Sequence, residues 1–284
     1  MRKVPNTNIA SRVFAYITLA YWVASSIVAW RPALAEELAL TGSLIQGGLV
    51  RGHTDPAARV VFKGREVRVS PDGLFLIGFN RDESSTASLI ITLPNGHRKT
   101  ETLSIEQREY DIQRIDGLSP GKVSPTKQNL ARIRAEAALV RKARTRDEAR
   151  TDFEGGFIRP VEGRISGVYG SQRILNGQAR RPHFGIDIAA PAGTPVRAPA
   201  SGVVTLVHSD MFFSGGTLIL DHGHGLSSSF LHLQQILVAE GDDIRQGDVI
   251  AHVGATGRVT GAHLDWRVNL FKTRLDPALL VGFD

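Results

Sequence analysis

The sequence predicts a mainly β protein: a small β-sandwich-like module, one linker helix, and a larger all-β domain towards the C-terminus. Three observations carry this. Short runs of alternating apolar and polar residues, cut by strong turn signals, fill residues 38–117. A stretch at 130–144 carries apolar residues at helical spacing. From Phe157 onward, glycine turns divide strand-like runs and no helical period appears. A chain of 284 residues is long enough for two modest domains with cores of their own. Apolar residues at 42% and charged residues at 22% argue against bulk disorder.

The chain opens with Arg2, Lys3 and Arg12, runs apolar through residues 13–30, and reaches Pro32-Ala33-Leu34-Ala35. A basic start, an apolar middle and an A-x-A ending predict a secretory signal peptide over residues 1–35, cleaved after Ala35. The apolar run is nearly long enough to span a bilayer, so a retained signal-anchor is the alternative. Either one exports the remainder to the periplasm or cell envelope.

Residues 36–117 are expected to form the small β-rich module. Arg59-Val60-Val61-Phe62 leads through Lys63-Gly64 into Glu66-Val67-Arg68-Val69, and Ser70-Pro71-Asp72-Gly73 is a turn signal before an apolar run at 74–79. Leu89-Ile90-Ile91-Thr92-Leu93 ends at the turn Pro94-Asn95-Gly96. Strands this short and evenly spaced suggest a sandwich. His53 and His97 sit near turns and are expected to be exposed, which leaves this module a binding or positioning role. Residues 118–156 read as a helical linker. Ser124-Pro125 has the form of an N-cap with proline at the first helical position, and Leu130, Ile133, Ala137 and Val140 keep the period. The helix is expected to pack between the two domains, with its basic residues on solvated faces.

Residues 157–284 are expected to be one domain, with strands at 197–207, 216–220, 226–233, 243–253 and 263–270. No cysteine occurs, so disulfides and Cys-ligated zinc are excluded, and any metal must be held by His, Asp, Glu or water. The 34 Lys and Arg against 28 Asp and Glu give a net charge of +6. That balance favours an acidic partner: anionic lipid, cell-wall polymer or nucleic acid.

The residues with chemistry cluster in this domain. Pro182-His183-Phe184-Gly185-Ile186-Asp187 and Gly261-Ala262-His263-Leu264-Asp265-Trp266 each carry a His and a carboxylate. Their spacings, four and two residues, keep both groups on one face of a strand. Phe230-Leu231-His232-Leu233 supplies another imidazole in an apolar setting. Two such strands side by side bring four polar groups to one point. This suits a catalytic metal with three protein ligands and an open position for water or substrate. His208, His222, His224 and His252 lack such company and are expected to satisfy local hydrogen bonds.

The run His183-Phe-Gly-Ile-Asp187-Ile-Ala-Ala-Pro-Ala-Gly-Thr-Pro-Val196, then Asp221-His-Gly-His-Gly225 with Phe230-Leu-His232-Leu, then Val253-Gly-Ala-Thr-Gly-Arg-Val-Thr-Gly-Ala-His263-Leu occur in that order. In these motifs the chain resembles the lysostaphin-type, or LytM-like, murein metalloendopeptidases over about residues 163–277. The resemblance implies an antiparallel β-sheet peptidase domain of the duplicated-hybrid-motif type with one zinc. It also implies cleavage of peptide bonds in the stems and cross-links of peptidoglycan. His183 and Asp187 then take the first two zinc-ligand positions. His263 takes the place of the first His of the family's His-x-His pair, which binds or polarises the reacting carbonyl. His232 matches the other catalytic imidazole, placed to orient water or shuttle its proton. Peptidoglycan becomes the expected partner, with an anionic membrane surface or wall polymer as a second contact, and nucleic acid is not expected.

The third ligand position, a His in the family, is Asp265 here. Asp is a competent zinc ligand, but the added negative charge lowers the Lewis acidity of the ion. A more alkaline optimum, or a divalent metal other than zinc, is the expected consequence. The alternative for Asp265 is an ion pair with Arg267 or another basic group. Two further function classes stand beside the enzyme: a degenerate LytM-like regulator that activates cell-wall amidases, and a noncatalytic peptidoglycan-binding protein. Residues 171–177 with Arg180 and Arg181 are expected to form a loop over the groove, where Arg pairs with stem-peptide carboxylates. Tyr169 and Trp266 read as core.

Overall fold

Side-chain alternation and turn chemistry build the N-terminal module. The computed structural model describes residues 38–116 and 127–282. The expected signal segment and the Ser124-Pro125 cap lie outside the described residues. β1 (Ala39–Gly42), β2 (Leu49–His53) and β5 (Leu74–Gly78) form an antiparallel sheet in the order β1-β2-β5. Between β2 and β5 come β3 (Arg59–Phe62) and β4 (Arg65–Val67), which join β6 (Thr86–Thr92) and β7 (Arg98–Ser104) in a second sheet, β4-β3-β6-β7. Alternate residues of β6, namely Ala87, Leu89 and Ile91, are buried and meet Phe75 and Ile77 of the other sheet in one apolar cluster. The module is therefore a two-layer sandwich. At the predicted turn, Ser70 Oγ accepts the backbone N–H groups of Asp72 and Leu74 at 3.2 and 3.0 Å. Gly73 follows at φ +83°, where a Cβ would lie 1.9 Å from Thr54 O.

β8 (Ile112–Ile115) and the helix α1 (Lys127–Ala143) lead into the C-terminal domain. There β9 (Arg164–Gly167), β10 (Gln172–Leu175), β11 (Gln178–Ala179), β12 (Ile186–Ala189) and β13 (Pro195–Arg197) precede three long strands. These are β14 (Gly202–Met211), β15 (Gly215–Gly223) and β16 (Leu226–Leu233). The short strands β17 (Gln235–Ile236), β18 (Asp243–Ile244) and β19 (Val249–His252) come next, then β20 (His263–Leu270) and β21 (Thr273–Leu275). The main sheet runs β18-β14-β15-β16-β20-β12-β9, with β21 also paired to β20, and its pairings are antiparallel.

One face of this sheet is the main core. Ile186, Ile188, Leu218, Leu220, Phe230, Leu264, Trp266 and Val268 pack there, joined by Leu49, Leu74 and Leu76 of the N-terminal module. On the opposite face, Leu206, Met211 and Ile219 pack against Ala143 and Val140 of α1. The register extends that second face sideways: Leu206 lies opposite Ile219, Ile219 opposite Ser229, and Ser229 opposite Arg267. The helix thus covers β14 and β15, and the same face continues beyond it over β16, β20 and β12.

Several expectations change in the structure. Ala137 is exposed and Glu136 takes the buried helix position. The carboxylate is tolerated there because it accepts Arg132 Nε at 2.6 Å and the N–H of Phe212 at 2.9 Å. The strand expected at 197–207 splits into β13 and β14 around Pro199, which has no N–H to give a ladder. The one expected at 243–253 splits at a turn where Gly247 adopts φ +89° and Arg245 N–H binds Asp248 Oδ2 at 2.9 Å. One short helix, α2 (Ala278–Val281), does follow Phe157, directly behind Pro277. No helix among the described residues is long and apolar enough to cross a membrane.

Candidate metal centre

β12 and β20 are antiparallel neighbours, and their register sets Asp187 directly opposite Asp265. His183 lies four residues before Asp187, and its Nε2 is 3.3 Å from Asp187 Oδ1. His263 starts β20 and brings its Nε2 to 3.8 Å from the same oxygen. His183, Asp187 and Asp265 each offer one ligand atom, and these atoms lie within 4.8 Å of one another. Two glycines make room. A Cβ at Gly167 would lie 2.2 Å from Asp187 Oδ2, and one at Gly185 would lie 2.5 Å from Trp266 O and 2.9 Å from Asp265 Oδ1. Gly185 is part of the motif read from the sequence, whereas Gly167 gave no local signal.

His183 Nε2 and Asp187 Oδ1 are buried and have no hydrogen-bond partner. Buried polar atoms are almost always satisfied, so two orphans facing each other fit a cation between them. Directly opposed carboxylates are also unfavourable without a positive charge. The donor set, one imidazole and two carboxylates, matches ligand types that zinc accepts.

Asp265 is also claimed from the other side. It is 2% exposed, and Arg267 donates to it from Nε at 2.9 and 3.1 Å and from Nη2. Burial pushes the Asp265 carboxyl up, but the charge and hydrogen bonds of Arg267 outweigh it and hold the group below the usual carboxylate range. The ion pair given above as the alternative for Asp265 is thus present, and an Asp265 oxygen also lies within 4.8 Å of the His183 and Asp187 ligand atoms.

His232 and His263 stand together, with ring centroids 4.9 Å apart. His232 Nδ1 faces Thr256 O at 2.9 Å, and His263 Nδ1 faces Gly261 O at 2.9 Å. A carbonyl accepts, so each Nδ1 carries the proton and each neutral ring presents the lone pair of Nε2. Burial lowers the His232 pKa, opposed by the Thr256 carbonyl. His232 sits at φ +66°, an uncommon conformation for a non-glycine residue, and its N–H is fixed by Ser214 O at 2.8 Å. Thr256 went unnoticed in the sequence because its role is to tie elements together: Oγ1 donates to Leu233 O at 2.8 Å and accepts from Gly216 N–H at 2.9 Å.

The remaining histidines lie elsewhere. His208 Nδ1 accepts the N–H of Asp210, His252 Nδ1 faces Gln235 Oε1, and His222 is bonded through both ring nitrogens. His224 departs from expectation: both its nitrogens are buried without partners. Its backbone is fastened instead, with N–H on Glu148 O at 2.9 Å, and its ring packs edge-on to Phe153. The segment expected as a loop is the hairpin β10–β11, turned at Asn176 and Gly177 with φ +49° and +75°. β8 adds to it in parallel. Tyr169 and Trp266 are both buried.

Residues 181–277 match the family model described as Peptidase family M23. The DD-carboxypeptidase/endopeptidase Mpg of Neisseria meningitidis serogroup B is 40% identical over 126 residues, 44% of this chain and 29% of that protein. The peptidoglycan DD-endopeptidase ShyB of Vibrio cholerae is 35% identical over 144 residues, 49% of this chain and 34% of that protein. The chain therefore spans about a third of the length of these curated relatives. A crystal structure of a putative M23 peptidase from Pseudomonas aeruginosa superposes with a TM-score of 0.67 at 30% identity, covering 84% of this chain and 96% of that one.

Proposed function

Since the chain belongs to peptidase family M23, we propose that it is an exported zinc metalloendopeptidase that hydrolyses peptide bonds in the stems or cross-links of peptidoglycan. The observation that carries the reading is the facing pair of buried atoms without hydrogen bonds, His183 Nε2 and Asp187 Oδ1, 3.3 Å apart, with Asp265 across the ladder. These three residues would hold the metal. Export is supported by the basic, apolar and A-x-A pattern of residues 1–35.

Zinc bound there would acidify water and polarise the substrate carbonyl. The chain's own residues supply the proton handling. His232 keeps its Nδ1 proton on Thr256 O, so its Nε2 is the free basic site. Desolvation favours the neutral ring, which is the form a general base requires. His263 has the same tautomer, and on protonation it presents an Nε2–H beside Asp187, suited to an oxyanion. Two carboxylates would leave a bound divalent ion formally neutral, and Arg267 returns one positive charge next to it.

Purified full-length protein loaded with zinc should release soluble fragments from peptidoglycan, and His183→Ala and Asp265→Ala should not. Identical fragments from all three proteins would show that the assigned site is wrong. The grip of Arg267 on Asp265 favours one second reading, a regulator of cell-wall amidases whose metal site is closed. A regulator would keep its stimulation of an amidase after His183→Ala and would digest no wall itself.

A further inference from the structure

The sheet face that carries the triad continues beyond it as a group of guanidinium ions with no assigned role. Strand alternation puts Arg267 and Asn269 on the same face of β20 as Asp265. Arg274 of β21 lies opposite Asn269, and its Nη1 donates to Asn269 Oδ1 at 3.3 Å. Arg144 leaves the C-terminal end of α1 and donates from Nη2 to Ser229 Oγ at 2.7 Å, where Ser229 is the residue opposite Arg267. Three guanidinium groups therefore gather at one corner of this sheet face.

Their charges are poorly answered. Arg267 has Asp265, but among the described residues neither Arg144 nor Arg274 has a carboxylate within ion-pair distance. Arg144 Nε is buried with no hydrogen-bond partner. Burial together with the charges of Arg267 and Arg181 lowers Arg274 to about 10, and burial with Arg274 and Arg267 lowers Arg144. Gathering cations in a half-buried corner is costly unless an anion completes it. The planar fork of Arg is suited to a carboxylate, which it can grip through two parallel bonds.

We propose that Arg144, Arg267 and Arg274 form a subsite for a free carboxylate of the substrate peptide, immediately beside the scissile bond. The inference rests on the peptidase reading above. Position decides which carboxylate. Arg267 is in contact with Asp265, so the subsite lies one side chain away from the triad. The residue on the acyl side has its own α-carboxyl consumed in the scissile amide. Of the two α-carboxyls flanking the scissile amide, only that of the leaving amine is free, and it is the one assigned to the subsite. The site selects peptides whose leaving residue keeps a free α-carboxylate over those in which it is amidated. The linker helix contributes to specificity, because Arg144 comes from its end.

Two probes test this: diacetyl-L-lysyl-D-alanyl-D-alanine with a free C-terminal carboxylate, and the same peptide as its carboxamide. Binding is measured by isothermal titration of the full-length, zinc-loaded chain in a His232→Ala background, chosen to suppress turnover. The free acid should bind about 10-fold or more tighter than the amide. Arg144→Met and Arg274→Gln should each shrink that ratio towards unity. Because the ratio is internal to each sample, a partly unfolded variant does not distort it. Equal binding of the two probes to the parent, or a ratio intact in both variants, overturns the subsite. Wall digestion by the wild type is run alongside. No digestion with a retained ratio removes the peptidase reading alone, whereas digestion without a ratio removes the subsite alone.

Discussion

Replacing Arg267 by Met separates the two claims on Asp265. The carboxylate is 2% exposed and accepts three hydrogen bonds from the guanidinium. Without them it becomes an unpaired buried charge opposite Asp187 in the ladder. Breaking a buried ion pair from one side costs about 3–5 kcal/mol in the metal-free protein. A divalent cation bound by Asp265 restores the missing positive charge, so much of that cost is regained on binding. Allowing about half for relaxation and water entry leaves roughly 2 kcal/mol, or about a 30-fold lower zinc Kd for Arg267→Met than for wild type. Competition with a chromogenic chelator measures the Kd. Thermal melts with and without zinc should show a larger metal-induced rise in Tm for the variant. A Kd that is unchanged or weaker refutes the reasoning, and Asp265 then serves as the partner of Arg267 and not as a ligand.

Burial of His232 lowers its pKa, so the acid limb of kcat/KM on a peptide substrate should have its midpoint below the ordinary histidine value of about 6.5. His232→Ala should lower kcat by about 10²–10⁴-fold, and a limb at or above 6.5 would contradict a desolvated base. Gly167→Ala forces a Cβ to within 2.2 Å of Asp187 Oδ2. It should destabilise the fold by about 1–3 kcal/mol and weaken zinc, which a chelator titration with an unaltered Kd would disprove. His222 is held neutral by burial, with its pKa lowered to about 4, while the unfolded chain protonates near 6.5. The unfolded state therefore takes up the proton first as the pH falls. Stability should drop by about 3 kcal/mol between pH 6.5 and 4, and urea titrations of His222→Gln should show a flatter dependence on pH.

What could be read in advance was local. The alternation of Ala87, Leu89 and Ile91 marks a half-buried strand, and Ser70 with Gly73 marks its own turn. His263 and Asp265 share a face of β20 by spacing, whereas His183 lies ahead of β12 and reaches Asp187 from the segment leading into that strand. What escaped depends on a second element arriving. Glu136 is tolerable inside the helix interface because the N–H of Phe212 comes to meet it. Thr256 matters because its carbonyl sets the tautomer of His232. Gly167 matters because β9 lies alongside Asp187. Spacing placed Asp265 near the metal position, but the strength of its tie to Arg267 needed the folded strand. Arg144 appeared in the sequence as one basic residue among many on a helix. Its burial beside Ser229 follows from packing.

The opposition of Asp187 and Asp265 also bears on when the molecule becomes active. The two strands that meet there are far apart in the chain, and a shift of β20 by one residue would turn Asp265 into the core and Trp266 outward while Asp187 stayed in place. A state in which β12 and β20 have not yet paired lacks the centre, and pairing strands so distant in sequence requires closing a long loop first. Under the proposed function, cleavage can begin only once these two strands have paired.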